Sequence, residues 1–360
     1  MKHLFKFSIL LLIVACQKSK VDSIGPGFIA APAGLQINSF TASQSSVNFL
    51  SVTATGKVIF SGSFNNTATW IITIKGQTSG AVHVMTGTGN SFANEVWSGK
   101  HDSIYFFRTG EIAVATLSFY GTSLSSSINI KIIAEPNYTV CPHLNFPSYA
   151  DFENPSIVLP PSYAAFAAFN YPTPIANVEQ GIDSMAIDYE GNLVPSVQGK
   201  NYYYMKGLGA QSAFVTGVQY IAGIPVGGMK VPSTDPENVW VNIFVYGTGD
   251  PNMQLQYIFL EHDSSGLGAS APGYVASKDD AWMFNISLKH RGWQLFSCRY
   301  SDLVISPQAL YGGSGNHIYE PASILSFELV LIKLVNANSP IEVYVDYPTI
   351  TIGGPFVPCK

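Results

Sequence analysis

Charge is what this sequence has least of. Asp, Glu, Lys and Arg make up 11% of its 360 residues, against about 25% in an ordinary globular chain. Basic residues are scarcer than acidic ones, 18 against 23. A nucleic acid or an anionic membrane surface needs clustered Lys and Arg to neutralise it, so no nucleic-acid partner is expected. Apolar residues recurring at the 3.6-residue period of a helix are missing over any stretch of a dozen residues. Enzyme motifs are missing too. There is no Gly-x-Ser-x-Gly elbow, no His-Glu-x-x-His and no phosphate-cradling Gly-Lys-Ser/Thr loop. The seven histidines lack metal-ligand spacing. Past the N-terminus, no apolar run reaches the roughly 20 residues a spanning helix needs.

The N-terminus carries the most specific pattern present. Lys2 and Lys6 form a positive region, and Phe7 to Ala15 is apolar apart from Ser8. This run is too short to span a bilayer and suits a signal peptide. It ends in Leu12-Ile13-Val14-Ala15-Cys16, which closely resembles a bacterial lipobox. The resemblance implies removal of residues 1–15 and diacylglycerol on Cys16, with the acyl chains as the membrane anchor. Residues 16–34 then read as a tether. Cys141 and Cys359 are expected to pair as a disulfide in an oxidising compartment, with Cys298 a free thiol; the alternative is three free thiols.

What is abundant is aromatic residues, 13% of the chain, together with 32 glycines. Strands favour aromatic and β-branched residues, and turns favour Gly and Asn. The fold class expected is all-β. Residues 35–135 hold strand candidates at Val58–Phe60, Thr69–Lys75, Ile112–Phe119 and Ile128–Ile133. In the last of these, Ile128-Asn129-Ile130-Lys131-Ile132 alternates as a half-buried strand should. About 100 residues of this kind suit an immunoglobulin-like β-sandwich. Glu135-Pro136-Asn137 reads as a linker.

Residues 140–360 form the second expected domain. Its strand candidates are Asp183–Asp188, Tyr202–Gly207, Ala213–Tyr220, Val239–Tyr246, Gln254–Glu261, Trp282–Ser287, Gln294–Arg299, Ser323–Ile332 and Ile341–Thr351. Tyr246–Asn252 reads as a hairpin loop by its turn residues. Eight or nine antiparallel strands in about 220 residues suit a larger jelly-roll β-sandwich.

Sugars stack their C–H faces on aromatic rings, and their hydroxyls need Asn, Gln and carboxylates, so a sugar site needs both kinds together. Strand Val239–Tyr246 puts Val239, Val241, Ile243 and Val245 on one face and Trp240, Asn242, Phe244 and Tyr246 on the other. The second row is a candidate sugar-binding face or a second packed layer. Gln254 and Gln256 are expected as its cross-hairpin neighbours. Tyr202 and Tyr204 share a face and are further candidate contacts. Trp70, Trp282 and Trp293 read as packing residues. Glu261 beside His262 and Asp263 is the one cluster suspicious for catalysis, against a solvated strand end.

The order of Asp151-Phe152-Glu153, Gln198–Tyr204, Asn242–Gly247, Gly292–Phe296 and Ile341–Tyr347 resembles the galactose-binding-like jelly rolls of carbohydrate-binding modules. It also resembles surface glycan-binding lipoproteins of polysaccharide-utilisation systems, which carry a lipobox, an immunoglobulin-like spacer and a jelly roll. The resemblance implies a non-catalytic polysaccharide-binding lipoprotein of the outer membrane, with an outer-membrane glycan transporter as a partner. It also implies a structural calcium near Glu153 and Asp346, the alternative being a pair of ordinary surface carboxylates. The Asp-Ser-apolar triplets at Ser23, Ser103 and Ser184 resemble a bacterial O-glycosylation sequon. The other readings are an adhesion protein that binds a protein partner and a glycoside hydrolase or lyase. Gln17-Lys18-Ser19-Lys20, basic where surface-exported relatives are acidic, leaves the cell surface and the periplasmic face both open.

Overall fold

The structure is a computed structural model. It describes residues 28–136, 152–153, 166–169, 179–209, 213–221, 231–262, 279–306, 315–334 and 339–357. Cys16, Cys141, Cys359, Ser23 and Asp263 lie outside these residues. Among the described residues the regular structure is strand, with a few single-turn 3-10 helices and no α-helix. Cys298 is a free thiol.

The N-terminal six strands are β1 (Ile37–Ala42), β2 (Ser46–Asn48), β3 (Val58–Gly76), β4 (Val82–Trp97), β5 (Ile112–Phe119) and β6 (Ser125–Ala134). They form one sheet in the order β1-β3-β5-β6-β2, with β4 also paired to β3. The two strand candidates Val58–Phe60 and Thr69–Lys75 are parts of the single long β3. Its first part pairs with β1 and its second with β5. Register shifts between Phe60 and Gly62 and between Ser63 and Ala68 interrupt its ladder with β4, and such bulges bend a strand. The bent sheet encloses Val58, Phe60, Trp70, Ile72, Ile74, Leu117, Ile130 and Ile132. β4 has no obvious strand signal, because Gly87 and Gly89 interrupt it. Gly87 is required there: a Cβ would stand 2.3 Å from the Trp70 ring.

The rest of the described chain builds two facing antiparallel sheets. The five-stranded sheet holds β8 (Glu179–Asp183), β9 (Tyr202–Gly209), β11 (Val239–Thr248), β14 (Arg291–Arg299) and β17 (Ser339–Ile352), ordered β14-β11-β17-β9-β8. The six-stranded sheet holds β7 (Phe166–Phe169), β10 (Ala213–Ile221), β12 (Met253–Glu261), β13 (Asp280–Ser287), β15 (Val304–Ile305) and β16 (Ile324–Lys333), ordered β15-β13-β12-β16-β10-β7. Between them lie Val239, Val241, Ile243 and Val245 of β11, Leu255, Tyr257 and Phe259 of β12, and Phe327, Leu329 and Leu331 of β16. Burying each such side chain contributes about 1.5–3 kcal/mol. The period-2 reading of β11 therefore identified its core face.

Two expectations fail here. Residues Asp183–Asp188 do not form a strand; β8 ends at Asp183, whose carboxylate accepts the N–H groups of Ser184 and Met185 and turns the chain. The turn after Tyr246 is not a hairpin. β11 is bonded on both edges, to β14 and β17, while β12 is bonded to β13 and β16. The chain at Gly249–Asn252 therefore crosses from one sheet to the other. Gly249, at φ +88°, makes the corner, and its N–H donates to Leu288 O at 3.2 Å.

The N-terminal sheet also reaches the second unit. Phe106, fully buried, joins Phe244, Tyr347 and Phe356 in one aromatic cluster, with ring centroids 5.9, 5.3 and 5.8 Å away. Its N–H donates to Val197 O at 3.0 Å. Arg108 Nη2 donates to Ser196 O at 2.6 Å.

Candidate functional site

The outward face of the five-stranded sheet carries the row singled out in the sequence. Antiparallel register sets Trp293 against Tyr246, Tyr246 against Tyr344 and Tyr344 against Tyr204. Neighbouring rings meet edge to face, Tyr246 with Trp293 at 5.7 Å and with Tyr344 at 5.5 Å. The next row holds Leu295, Phe244, Asp346 and, beside them, Tyr202. An aromatic belt therefore crosses this face.

A hairpin packs over the belt. Ala186 and Val194 pair through Val194 N–H to Ala186 O at 3.0 Å, and Ile187 bridges to Leu193. Asp188 closes the turn. Its Oδ1 accepts the N–H groups of Glu190 at 3.0 Å and Asn192 at 2.7 Å, and Gly191 takes φ +87°. Most polar groups of the belt bond to this segment. Tyr246 Oη donates to Asp188 Oδ2 at 3.1 Å, Trp293 Nε1 to Pro195 O at 2.6 Å, and Lys206 Nζ to Ile187 O. Tyr202 Oη accepts Ala186 N–H at 2.6 Å. Burial would raise the Asp188 carboxyl, but the bonds from Asn192, Tyr246 and Glu190 outweigh it and hold it below the usual range.

The row of candidates divides accordingly. Asn242 is fully buried; its Nδ2 donates to Thr351 Oγ1 at 3.1 Å and its Oδ1 accepts Phe356 N–H at 2.8 Å. Phe244 and Tyr202 are buried in the same layer. Trp240, Tyr246 and Tyr204 are half-buried, and the Arg299 guanidinium stands 5.3 Å from the Trp240 ring. Gln254 and Gln256 are not neighbours of this row, because they lie in the other sheet. There they share Asn285 Oδ1 as acceptor. Trp70, Trp282 and Trp293 are packed in cores, as expected.

Beyond the belt the same face opens into a cleft of about 340 Å³. Its floor is Arg291, Thr248 and Glu342. One wall is Tyr189 and Glu190 from the hairpin turn, and the other is Asp250 and Pro251 from the corner between sheets, with Pro340 beside it. The Tyr189 side chain is half exposed, at 50%. Glu342 Oε1 accepts Tyr189 N–H at 2.9 Å, and its Oε2 accepts Tyr344 Oη at 2.8 Å. Burial raises the Glu342 carboxyl, and those two bonds and Lys206, 3.7 Å away, oppose the rise. Arg291 Nη1 reaches Glu190 at 2.6 Å across the mouth. Tyr189 lies one residue past the strand candidate Asp183–Asp188, and nothing local in the sequence marks it as standing open at a turn.

Glu153 and Asp346 come together around residues 197–201. Glu153 Oε1 accepts the N–H groups of Lys200 and Asn201 at 2.6 and 2.7 Å. Asp346 Oδ2 accepts those of Val197 and Gln198 at 2.7 and 3.0 Å. Gly199, at φ +57°, lets the loop pass: a Cβ there would stand 2.2 Å from the Glu153 carboxyl. Asp346 is fully buried and its Oδ1 accepts no hydrogen bond. Burial pushes it well above the usual carboxylate range, and Glu153 adds to that. An orphaned buried oxygen beside a second carboxylate supplies part of a cation's shell. Calcium takes six to eight oxygens, and among the described residues no group of three or more His, Cys, Asp or Glu side chains is placed to hold a metal.

At the opposite end, Glu261 is buried and accepts bonds from Trp282 Nε1 and Glu320 N–H. Burial raises it to about 8 against those two bonds. His262 Nδ1 lies 2.8 Å from Asp279. Glu261 is thus no solvated strand end. Of the Asp-Ser-apolar triplets, Ser184 is exposed, whereas Ser103 donates to Tyr105 O at 3.2 Å.

No family model and no curated protein matches the chain. Solved structures do. The family 11 carbohydrate-binding module of a cellulosomal cellulase of Clostridium thermocellum is 14% identical, covering 57% of this chain and 92% of its own, with a TM-score of 0.36. SGBP-B from a complex xyloglucan utilization locus in Bacteroides uniformis is 12% identical over 90% of this chain and 74% of its own, with a TM-score of 0.31. The C-terminal family 22 carbohydrate-binding module of a Clostridium thermocellum protein is 13% identical over 58% of this chain and 94% of its own, with a TM-score of 0.27. This chain is similar to these proteins in its β-sandwich architecture; identities this low transfer no ligand.

Proposed function

We propose that the protein is a membrane-anchored, non-catalytic lipoprotein whose C-terminal sandwich binds a polysaccharide. The observation that supports this reading is the cleft at Tyr189. It sets an exposed aromatic ring beside Thr248, Asp250 and Arg291, the pairing of apolar platform and hydrogen-bonding groups that sugars require. The site moves from the row Trp240, Asn242 and Tyr246 to the open end of the same face. The bent N-terminal sheet, fixed to the sandwich by Phe106, holds the cleft away from the membrane. Cys16 supplies the anchor, and Glu153 and Asp346 would supply two of the oxygens of a structural calcium. Modest affinity per site suffices when many anchored copies meet one polymer. An outer-membrane glycan transporter is the natural recipient of the captured chain.

Two measurements test this. Binding of the mature chain to a panel of plant and microbial glycans is expected without release of products; liberated oligosaccharides would overturn the non-catalytic reading. A Cys16→Ala variant is expected to leave the membrane fraction. Protease shaving of intact cells then separates the cell surface from the periplasmic face.

A further inference from the structure

We infer that the Tyr189 cleft selects uncharged glycans and rejects uronate-bearing or sulfated ones. This rests on the carbohydrate-binding reading and adds the ligand class. The cleft is lined by three carboxylates, Glu190, Asp250 and Glu342, and one cation, Arg291. That cation is already committed, since Arg291 Nη1 holds both oxygens of Glu190 at 2.7 and 2.6 Å. Lys333, buried, is already attracted by the Asp250 carboxylate, and Lys206 is committed as well. Its ammonium donates to Ile187 O and lies 3.7 Å from Glu342. A bound anion would find the one cation of the lining, Arg291, already paired, and would meet Asp250 and Glu342. Like charges placed together in a half-buried cleft are mutually destabilising.

The same geometry disfavours a cationic ligand over the ring. Lys206 Nζ already stands 5.5 Å from the centroid of Tyr189, so that ring's attraction for a cation is in use. The rest of the half-exposed ring offers an apolar surface, which suits the C–H face of a pyranose. Thr248 and Asp250, both half-buried, supply a hydroxyl that donates or accepts and a carboxylate that accepts hydrogen bonds from sugar hydroxyls. Carboxylates accept from neutral hydroxyls strongly, which is how a negative cleft favours an uncharged sugar.

Affinity electrophoresis and titration calorimetry test this with the full mature chain. The probes are neutral polymers (mixed-linkage glucan, xyloglucan, xylan, mannan) and acidic ones (polygalacturonate, alginate, a sulfated galactan). Retardation by at least one neutral polymer and by no acidic one is expected. Tyr189→Ala is expected to weaken neutral binding at least tenfold at unchanged Tm, because its bond to Glu342 is made by the backbone. Asp250→Lys, which introduces a free cation, is expected to gain acidic-polymer binding. Preference for an acidic polymer in the wild type overturns the charge argument. Neutral binding unaffected by Tyr189→Ala overturns the site and leaves the carbohydrate reading standing. No binding to any polymer overturns that reading itself.

Discussion

Tyr246 Oη donates a hydrogen bond to Asp188 Oδ2 at 3.1 Å, joining the sheet to the hairpin laid across it. Asp188 serves two masters, since its other oxygen closes the hairpin's own turn. The cleft wall at Tyr189 and Glu190 is therefore held in place by the residue just before it.

Tyr246→Phe should cost about 1 kcal/mol, the net worth of one hydrogen bond. Asp188→Ala should cost about 2–3 kcal/mol, because it strips partners from two turn N–H groups as well. The Asp188 carboxyl is held below its ordinary value. Its contribution is thus complete above the ordinary Asp range and lost as pH falls through the lower native value. Urea melts from neutral pH down through the ordinary Asp range should show the wild type losing more stability than Asp188→Ala in the acid limb.

Phe106→Ala should cost about 3–5 kcal/mol, as for other fully buried aromatic rings. Its ring links the N-terminal sheet to Phe244, Tyr347 and Phe356. Calorimetry should show the N-terminal unit and the C-terminal sandwich melting further apart in the variant than in the wild type. Unchanged melting would refute the coupling.

Glu261 titrates in the opposite sense to Asp188. Burial raises it to about 8, so the native state holds a proton that the unfolded chain releases above the ordinary Glu range. The stability from this group is complete below that range and is lost as pH rises through about 8. Glu261→Gln keeps a neutral side chain at every pH. Its unfolding free energy should match the wild type near pH 5 and exceed it at pH 9, by an amount on the order of 1–3 kcal/mol.

Calcium should raise the Tm of the wild type and a chelator lower it. Asp346→Asn should abolish the response, since a neutral amide pays less for burial and binds the ion poorly. If Tm ignores calcium, the Asp346 carboxyl is kept by a proton, in line with its raised titration.

Part of this was legible in residue order. The apolar alternation at Val239–Val245 marks a core face, and Trp70, Trp282 and Trp293 are legible as packing residues. The site was less legible. Trp240, Asn242, Phe244 and Tyr246 do share a face, but Asn242 and Phe244 are covered by Phe356, Phe106 and the hairpin at 186–194. Gln254 and Gln256 would stand beside them only if Tyr246–Asn252 closed a hairpin. The turn residues there are real, but turn chemistry says only that the chain bends, not which sheet it enters.

By itself the sequence determined the strand class and the inward faces of the strands. A strand's side chains alternate with period 2, so a local pattern suffices. It also carries the lipobox resemblance at Cys16, a contiguous motif. The tertiary structure decided what lies on top of the outward face. Val197 meets Asp346 across 149 residues of chain, Tyr246 meets Asp188 across 58, and Arg108 meets Ser196 across 88. Such pairings leave no local periodicity to read. They settle which aromatic rings are packed and that Tyr189 stands open, because burial depends on every element that returns to the sheet.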